Sequence, residues 1–189
     1  MRLRRFIKFG VKHVLGGEVS GIGLNLTRRC NTWCQYCRIV NNSREFYNRE
    51  LGVEQWKQIV DRFSDHGCLH FIFTGGEPLV YNGVYELIEY TAKRAMTSII
   101  TNTMKLNEER FYKLRHLDYM TFSFDTVHSD SETFTKNPTE RLGLIASQCA
   151  RYEIVPTAIC TVTSKNTDQV ETMIRTLDEH GISSMLSII

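Results

Sequence analysis

Short apolar runs alternate along this chain with longer segments in which apolar residues recur every three or four positions. The short runs predict strands at Ile22 to Thr27, Leu69 to Thr74, Ser98 to Asn102, Tyr119 to Asp125, Val155 to Val162 and Ser183 to Ile188. Between them "VEQWKQIVDRFSDHG", "VYELIEYTAKRA", "NEERFYKLRHL", "RLGLIASQCARYE" and "TDQVETMIRTLDEHG" carry helical periodicity, and several end at glycine or at cationic residues. Strict alternation of strand and helix implies right-handed βαβ units and a parallel sheet, hence an α/β fold.

Ahead of the first strand lies a different pattern. Leu3, Phe6, Ile7, Val11, Val14 and Leu15 fall at helical spacing, with Arg2, Arg4, Arg5, Lys8 and Lys12 between them. Residues 1–20 therefore read as a short basic amphipathic helix, and residues 21–189 as one core domain. The helix packs across that domain or makes a peripheral contact with an anionic membrane surface through residues 1–15. At 189 residues the chain suits a single core, since ordinary domains take roughly 100 to 200 residues. No run approaches the about 18 apolar residues of a membrane span. Six cysteines without an apolar signal-peptide core before them fit a reducing, cytoplasmic setting better than a secreted disulfide scaffold.

Polar residues collect where strands end. Thr27 leads into three cysteines, Thr74 into "GGEP", and Thr101 with Asn102, Ser123 with Asp125, and Thr163 with Ser164 close later strands. In parallel α/β sheets and barrels the carboxyl ends of the strands form the site face. Within strands, Asn25 and Thr27 share a face, as do Thr121, Ser123 and Asp125, and Thr157, Thr161 and Thr163. Buried parallel strands are ordinarily apolar on both faces. A polar row on successive strands implies a hydrated or ligand-holding interior, which an open or incomplete barrel provides and a closed, packed one does not.

The stretch "RRCNTWCQYCR" places Cys30, Cys34 and Cys37 at C-x3-C-x2-C spacing. Three thiolates on one loop can hold three corners of a cubane iron–sulfur cluster and leave its fourth iron open. The alternative is a zinc site completed by His66, Cys68 or His70, although zinc pairs usually recur as C-x2-C units. Gly75 and Gly76 allow a close backbone approach to a ligand, Glu77 can accept from an ammonium or brace the turn, and Pro78 fixes the exit. Cys68, Cys149 and Cys160 lie apart in apolar contexts and read as small buried hydrophobes.

The cysteine stretch, with Tyr36 in the aromatic place, resembles the signature of the radical S-adenosylmethionine (SAM) superfamily. "TGGEP" at Thr74 to Pro78 resembles that family's methionine-binding motif, "TN" at Thr101 and Asn102 its third-strand motif, and "SFD" at Ser123 to Asp125 its fourth-strand motif. The resemblance implies a partial (β/α)6 TIM-like barrel with Cys30, Cys34 and Cys37 on a [4Fe-4S] cluster whose fourth iron is chelated by S-adenosyl-L-methionine. It further implies reductive cleavage of that cofactor to a 5'-deoxyadenosyl radical, which takes hydrogen from an unidentified substrate. Cofactor contacts would come from Tyr36, Gly75, Gly76, Glu77, Pro78, Asn102, Ser123 and Asp125. Arg141 or Lys136 would clamp the cofactor carboxylate, and Trp33 would shield the cluster. An electron donor such as flavodoxin or ferredoxin is implied as a partner.

Two other functions fit parts of the pattern: a glycyl-radical-enzyme activating protein, and a non-catalytic zinc or iron–sulfur binding module. Relatives often continue past the sixth strand, whereas this chain stops at "SSMLSII". It is then a minimal core whose open side is covered by substrate, a dimer mate or a partner chain, or a fragment. If the three-cysteine assignment is right, Cys34→Ala loses cluster assembly, read as iron and sulfide per chain after anaerobic reconstitution. Full retention of both would remove Cys34 from the ligand set.

Overall fold

A computed structural model describes residues 20–32, 34, 36, 37, 50–127 and 138–189, with side chains from 141 onward in the last of these. The expected N-terminal helix, Trp33 and Lys136 lie outside the described residues. Strands β1 (Gly21–Thr27), β2 (His70–Gly75), β3 (Met96–Thr101), β4 (Tyr119–Ser123), β5 (Val155–Val162) and β6 (Ser183–Ile188) alternate with helices. The helices are α1 (Val53–Asp65), α2 (Val84–Ala92), α3 (Glu108–Lys113), α4 (Pro138–Arg151) and α5 (Val170–Glu179), with short 3-10 turns at Pro78–Val80 and Thr167–Gln169.

The six strands form one open sheet in the order β1-β2-β3-β4-β5-β6, every pair parallel. Each strand thus lies beside its predecessor, and right-handed crossovers all in one direction put the helices on one face. The core bears this out. Trp56 and Val60 of α1, Leu87 and Ile88 of α2, Leu142 and Ile145 of α4, and Met173 and Leu177 of α5 join one apolar cluster with Leu24, Phe71, Phe73, Ile99, Met120, Phe122 and Ala158 of the strands.

Local signals set the element ends. Asn107 caps α3 by accepting from the Arg110 amide at 2.9 Å, and Glu108 and Glu109 favour its first turn. Gly67 (φ 85°) and Gly181 (φ 66°) follow α1 and α5 in the left-handed conformation that releases the chain into the next strand. The strand expectations hold to within about two residues. β3 starts earlier because Met96 and Thr97 pair with His70 and Phe71. β4 ends at Ser123, and Asp125 has left the ladder to make side-chain bonds instead.

The other sheet face differs in chemistry. Register places Ile100, Thr121, Thr157 and Ser183 in one row and Ser123, Ile159 and Met185 in the next. Thr121, Ser123, Thr157 and Ile159 are only partly buried, whereas Met120, Phe122 and Ala158 opposite them are fully enclosed. The polar inner row expected from alternation is therefore present on β4 and β5. On β1 the expectation fails, because the ladder shifts register between Asn25 and Thr27, leaving Asn25 exposed and Thr27 buried.

This two-faced sheet predicts unequal costs. Phe73→Ala, on the dry face, should lower stability by about 3 to 5 kcal/mol in urea unfolding. Thr121→Val, on the inner face, should change it by less than about 1 kcal/mol.

Candidate functional site at the carboxyl ends of the strands

At the end of β2 the backbone continues to pair with the segment leading to the cysteines. The Gly76 amide donates to the Thr27 carbonyl at 2.7 Å, and the Glu77 amide donates to the Arg29 carbonyl at 2.8 Å. No side chain fits between them. A Cβ on Gly76 would lie 2.3 Å from the Arg29 oxygen and 2.7 Å from that of Arg28, and one on Gly75, at φ 141°, 2.3 Å from that of Thr27. The close approach that these glycines permit in the structure is to the chain's own backbone.

Glu77 is wholly buried and joins two strand ends. Its Oε1 accepts from the Leu79 amide at 3.0 Å and the Thr101 hydroxyl at 2.7 Å, and its Oε2 accepts from the Asn102 amide at 2.7 Å. Of the two roles open to it from sequence, the geometry favours the brace. Burial pushes its carboxyl above the ordinary range, and those three donors oppose the shift. Pro78 opens the following 3-10 turn and is buried there.

The cysteine loop leans on the end of β3. The Asn102 side-chain amide reaches the Asn31 oxygen at 3.0 Å, the Thr32 hydroxyl at 3.2 Å and the Cys30 sulfur at 3.7 Å. Thr32 Oγ1 lies 3.2 Å from the Cys30 sulfur and 3.9 Å from that of Cys34. Cys37 follows in a turn, its amide donating to the Cys34 carbonyl at 3.0 Å. At the loop's base Arg29 makes a two-point ion pair with Glu50 at 2.9 Å for each bond, and the Thr27 hydroxyl donates to the same carboxylate.

These donors suit an iron–sulfur cubane better than a single metal ion. All three thiols are free and partly exposed, and two flank one hydroxyl. Among the described residues no three Cys, His, Asp or Glu side chains converge on one ion position, whereas cubane ligands sit apart at separate corners. The zinc alternative loses its fourth ligand on geometric grounds. His70 pairs with Gly21 at the amino end of β1, while Cys30 follows its carboxyl end, a strand length of about 20 Å away at about 3.3 Å per residue. His66 and Cys68 precede His70 at that far end. Cys68, Cys149 and Cys160 are buried in the core, and burial pushes the thiols of Cys149 and Cys160 up to about 12.

On the β4 side the Tyr36 hydroxyl donates to Asp125 Oδ2, and Asp125 Oδ1 accepts from the Thr161 amide at 2.6 Å. Asn166 ties both strand ends together by donating to the Asp125 and Thr161 carbonyls at 2.8 Å each. Burial raises the Asp125 carboxyl, against the pull of its donors. Burial, with the Asp125 charge beside it, also raises Tyr36. Asp125 therefore anchors the aromatic residue of the cysteine loop. Ser123 sits half-buried on the inner face, and no described residue hydrogen-bonds its hydroxyl. Arg141, from α4, reaches the Thr103 carbonyl and, at 3.4 Å, that of Met104, with no carboxylate partner among the described residues. Thr103 itself is buried at φ 61°, an uncommon conformation for a β-branched residue and here located at the site.

Contacts thus join the cysteine loop with Tyr36, the "GGEP" turn, Asn102 and Asp125, while Ser123 stands at the end of β4 and Arg141 on the carbonyls that follow Asn102. Sequence reasoning missed Thr27, Arg29, Thr32, Glu50, Thr101 and Asn166. Arg29, Thr32 and Thr101 stood inside quoted motifs and Thr27 at a strand end just before one, where each could have been singled out. Glu50 and Asn166 gave none, since their roles arise only from long-range contacts.

A family model described as the Radical SAM superfamily matches residues 24–189. An Fe-coproporphyrin III synthase of Methanosarcina barkeri is 33% identical over 113 residues, 58% of this chain and 28% of the relative. A PqqA peptide cyclase of Granulibacter bethesdensis is 34% identical over 131 residues, 67% of this chain and 32% of the relative. The chain thus spans about a third of the length of these curated relatives. Among solved structures, Streptococcus suis SuiB superposes with a TM-score of 0.75 at 18% identity, over 98% of this chain and 43% of that one. SuiB bound to S-adenosylmethionine superposes at 0.72 and 18% identity, over 98% and 42% of the two chains. At such identities the likeness is one of fold, and it fits the open (β/α)6 arrangement.

Gly76→Val should displace residues 28–30 and with them the cysteine loop. The expected outcome is lower iron and sulfide content on reconstitution together with a stability loss of about 1 to 3 kcal/mol. A full cluster in a protein of unchanged stability would show that the loop does not depend on this contact.

Proposed function

The chain belongs to the Radical SAM superfamily, and from that premise we propose that it reductively cleaves S-adenosyl-L-methionine at a [4Fe-4S] cluster and takes hydrogen from an unidentified substrate. The observation that carries this reading is the convergence of the three-thiol loop with the "GGEP" turn and the ends of β3 and β4. When bound, the cluster and its cofactor would supply one-electron reductive chemistry.

The chain's own residues prepare that chemistry. Cys30, Cys34 and Cys37 would hold three irons of the cluster, and the backbone contacts of Gly76 and Glu77 fix the loop that bears them. Glu77 has its buried carboxylate committed to protein donors, so it shapes the ligand face by locking the β2 and β3 ends together. Arg141, partly buried and bonded to carbonyls, offers a cation suited to the cofactor carboxylate. Ser123 and Asn102 offer hydroxyl and amide groups for the cofactor's polar edge, while Asp125 holds Tyr36 against the same face. The partly exposed polar row on β4 and β5 then lines the space for substrate.

Named substrates differ among the relatives, which include a probable GTP 3',8-cyclase of Methanocella arvoryzae besides the porphyrin and peptide enzymes above. The shared part is the radical chemistry. It requires an electron donor, for which flavodoxin or ferredoxin is our proposal. Met185, Leu186 and Ile188 are exposed on β6, the strand at the edge of the sheet, which supports a covering segment or second chain there. No helix among the described residues is long and apolar enough to cross a membrane. Peripheral contact through residues 1–15 stays a proposal from sequence.

The test is anaerobic reconstitution with iron and sulfide, reduction by dithionite, addition of S-adenosylmethionine and chromatography. The expected product is 5'-deoxyadenosine together with methionine, formed only by the iron-loaded protein. A fully loaded four-iron protein that binds the cofactor and releases neither product would overturn the reading.

A further inference from the structure

Thr32 occupies a position that no motif assigns. Its hydroxyl stands 3.2 Å from the Cys30 sulfur and 3.9 Å from that of Cys34, on a loop otherwise defined by its thiols. Behind it the Asn102 amide donates to that same hydroxyl oxygen at 3.2 Å, and points at the Cys30 sulfur at 3.7 Å. Asn102 is itself held on both sides: its backbone amide by Glu77 Oε2, and its side-chain oxygen by the Met104 amide at 3.1 Å.

Ligation changes what these sulfurs can do. A thiolate has no proton, so Cys30 and Cys34 can only accept. With one side of the Thr32 oxygen taken by Asn102, the hydroxyl proton is directed toward sulfur, and the nearer sulfur belongs to Cys30. Donors aimed at cluster sulfurs favour the more negative, reduced state, and so raise the reduction potential.

We propose that Thr32, oriented by Asn102, is a positioning residue that hydrogen-bonds the Cys30 thiolate and raises the reduction potential of the bound cluster. This rests on the cluster assignment above. Thr32→Val keeps the side-chain shape and removes the hydroxyl, Thr32→Ser keeps the hydroxyl, and Asn102→Leu removes the second donor and the orienting bond.

The measurement is a potentiometric titration of each reconstituted protein without S-adenosylmethionine, followed by the electron paramagnetic resonance of the reduced cluster, with thermal unfolding as control. Thr32→Val should titrate at a more negative potential than the natural protein, Thr32→Ser should match the natural protein, and unfolding midpoints should agree. An unchanged potential in Thr32→Val, or equal shifts in the valine and serine variants, would overturn the proposal. Should Thr32→Val not retain four irons, Asn102→Leu decides: a more negative potential supports the proposal and an unchanged one overturns it. A natural protein that shows no four-iron signal would instead defeat the cluster reading on which this one stands.

Discussion

The site depends on a backbone contact that tolerates no side chain. Where β2 ends, the Gly76 and Glu77 amides dock on the carbonyls of Thr27 and Arg29, and a methyl group on Gly76 would overlap the carbonyls of Arg28 and Arg29. Hydrogen bonding of main chain to main chain fixes position more tightly than contact between flexible side chains, since no rotamers have to be ordered. The cysteines begin one residue after Arg29. The loop is then secured from three further directions: by Asn102 from β3, by Asp125 through Tyr36 from the end of β4, and by Arg29 with Glu50 at its base.

That arrangement explains why a carboxylate is worth burying at Glu77. An isolated buried charge is costly, but this one accepts from three donors on two strand ends. It converts the separate ends of β2 and β3 into one platform. Asp125 and Asn166 do the same for β4 and β5. The dry side of the sheet, with Phe71, Phe73 and Met120 packed beneath the helices, supplies the stability on which this polar face rests.

Much of this was legible in the chain because it is written in local patterns. Strand and helix periods located all six strands, and β5 and β6 coincide with their predicted limits. Three cysteines, "GGEP", "TN" and "SFD" each stood at a strand end, which is where a parallel sheet gathers its chemistry. What stayed hidden was relational. The register shift that buries Thr27 is a property of the β1 and β2 pairing. The glycines looked open to a ligand because sequence does not reveal that Thr27 to Arg29 fill the space. Glu50, Thr32 and Asn166 are ordinary polar residues until the fold brings their partners to them.

The central claim is that three thiolates on this loop leave one iron for the cofactor. The most direct measurement is electron–nuclear double resonance on the reduced protein, using S-adenosylmethionine isotope-labelled at its amino nitrogen or carboxylate oxygen. The account predicts hyperfine coupling from both labels, the sign of atoms bound to an iron of the cluster. A reduced four-iron signal with the cofactor bound and no coupling from either label would contradict it.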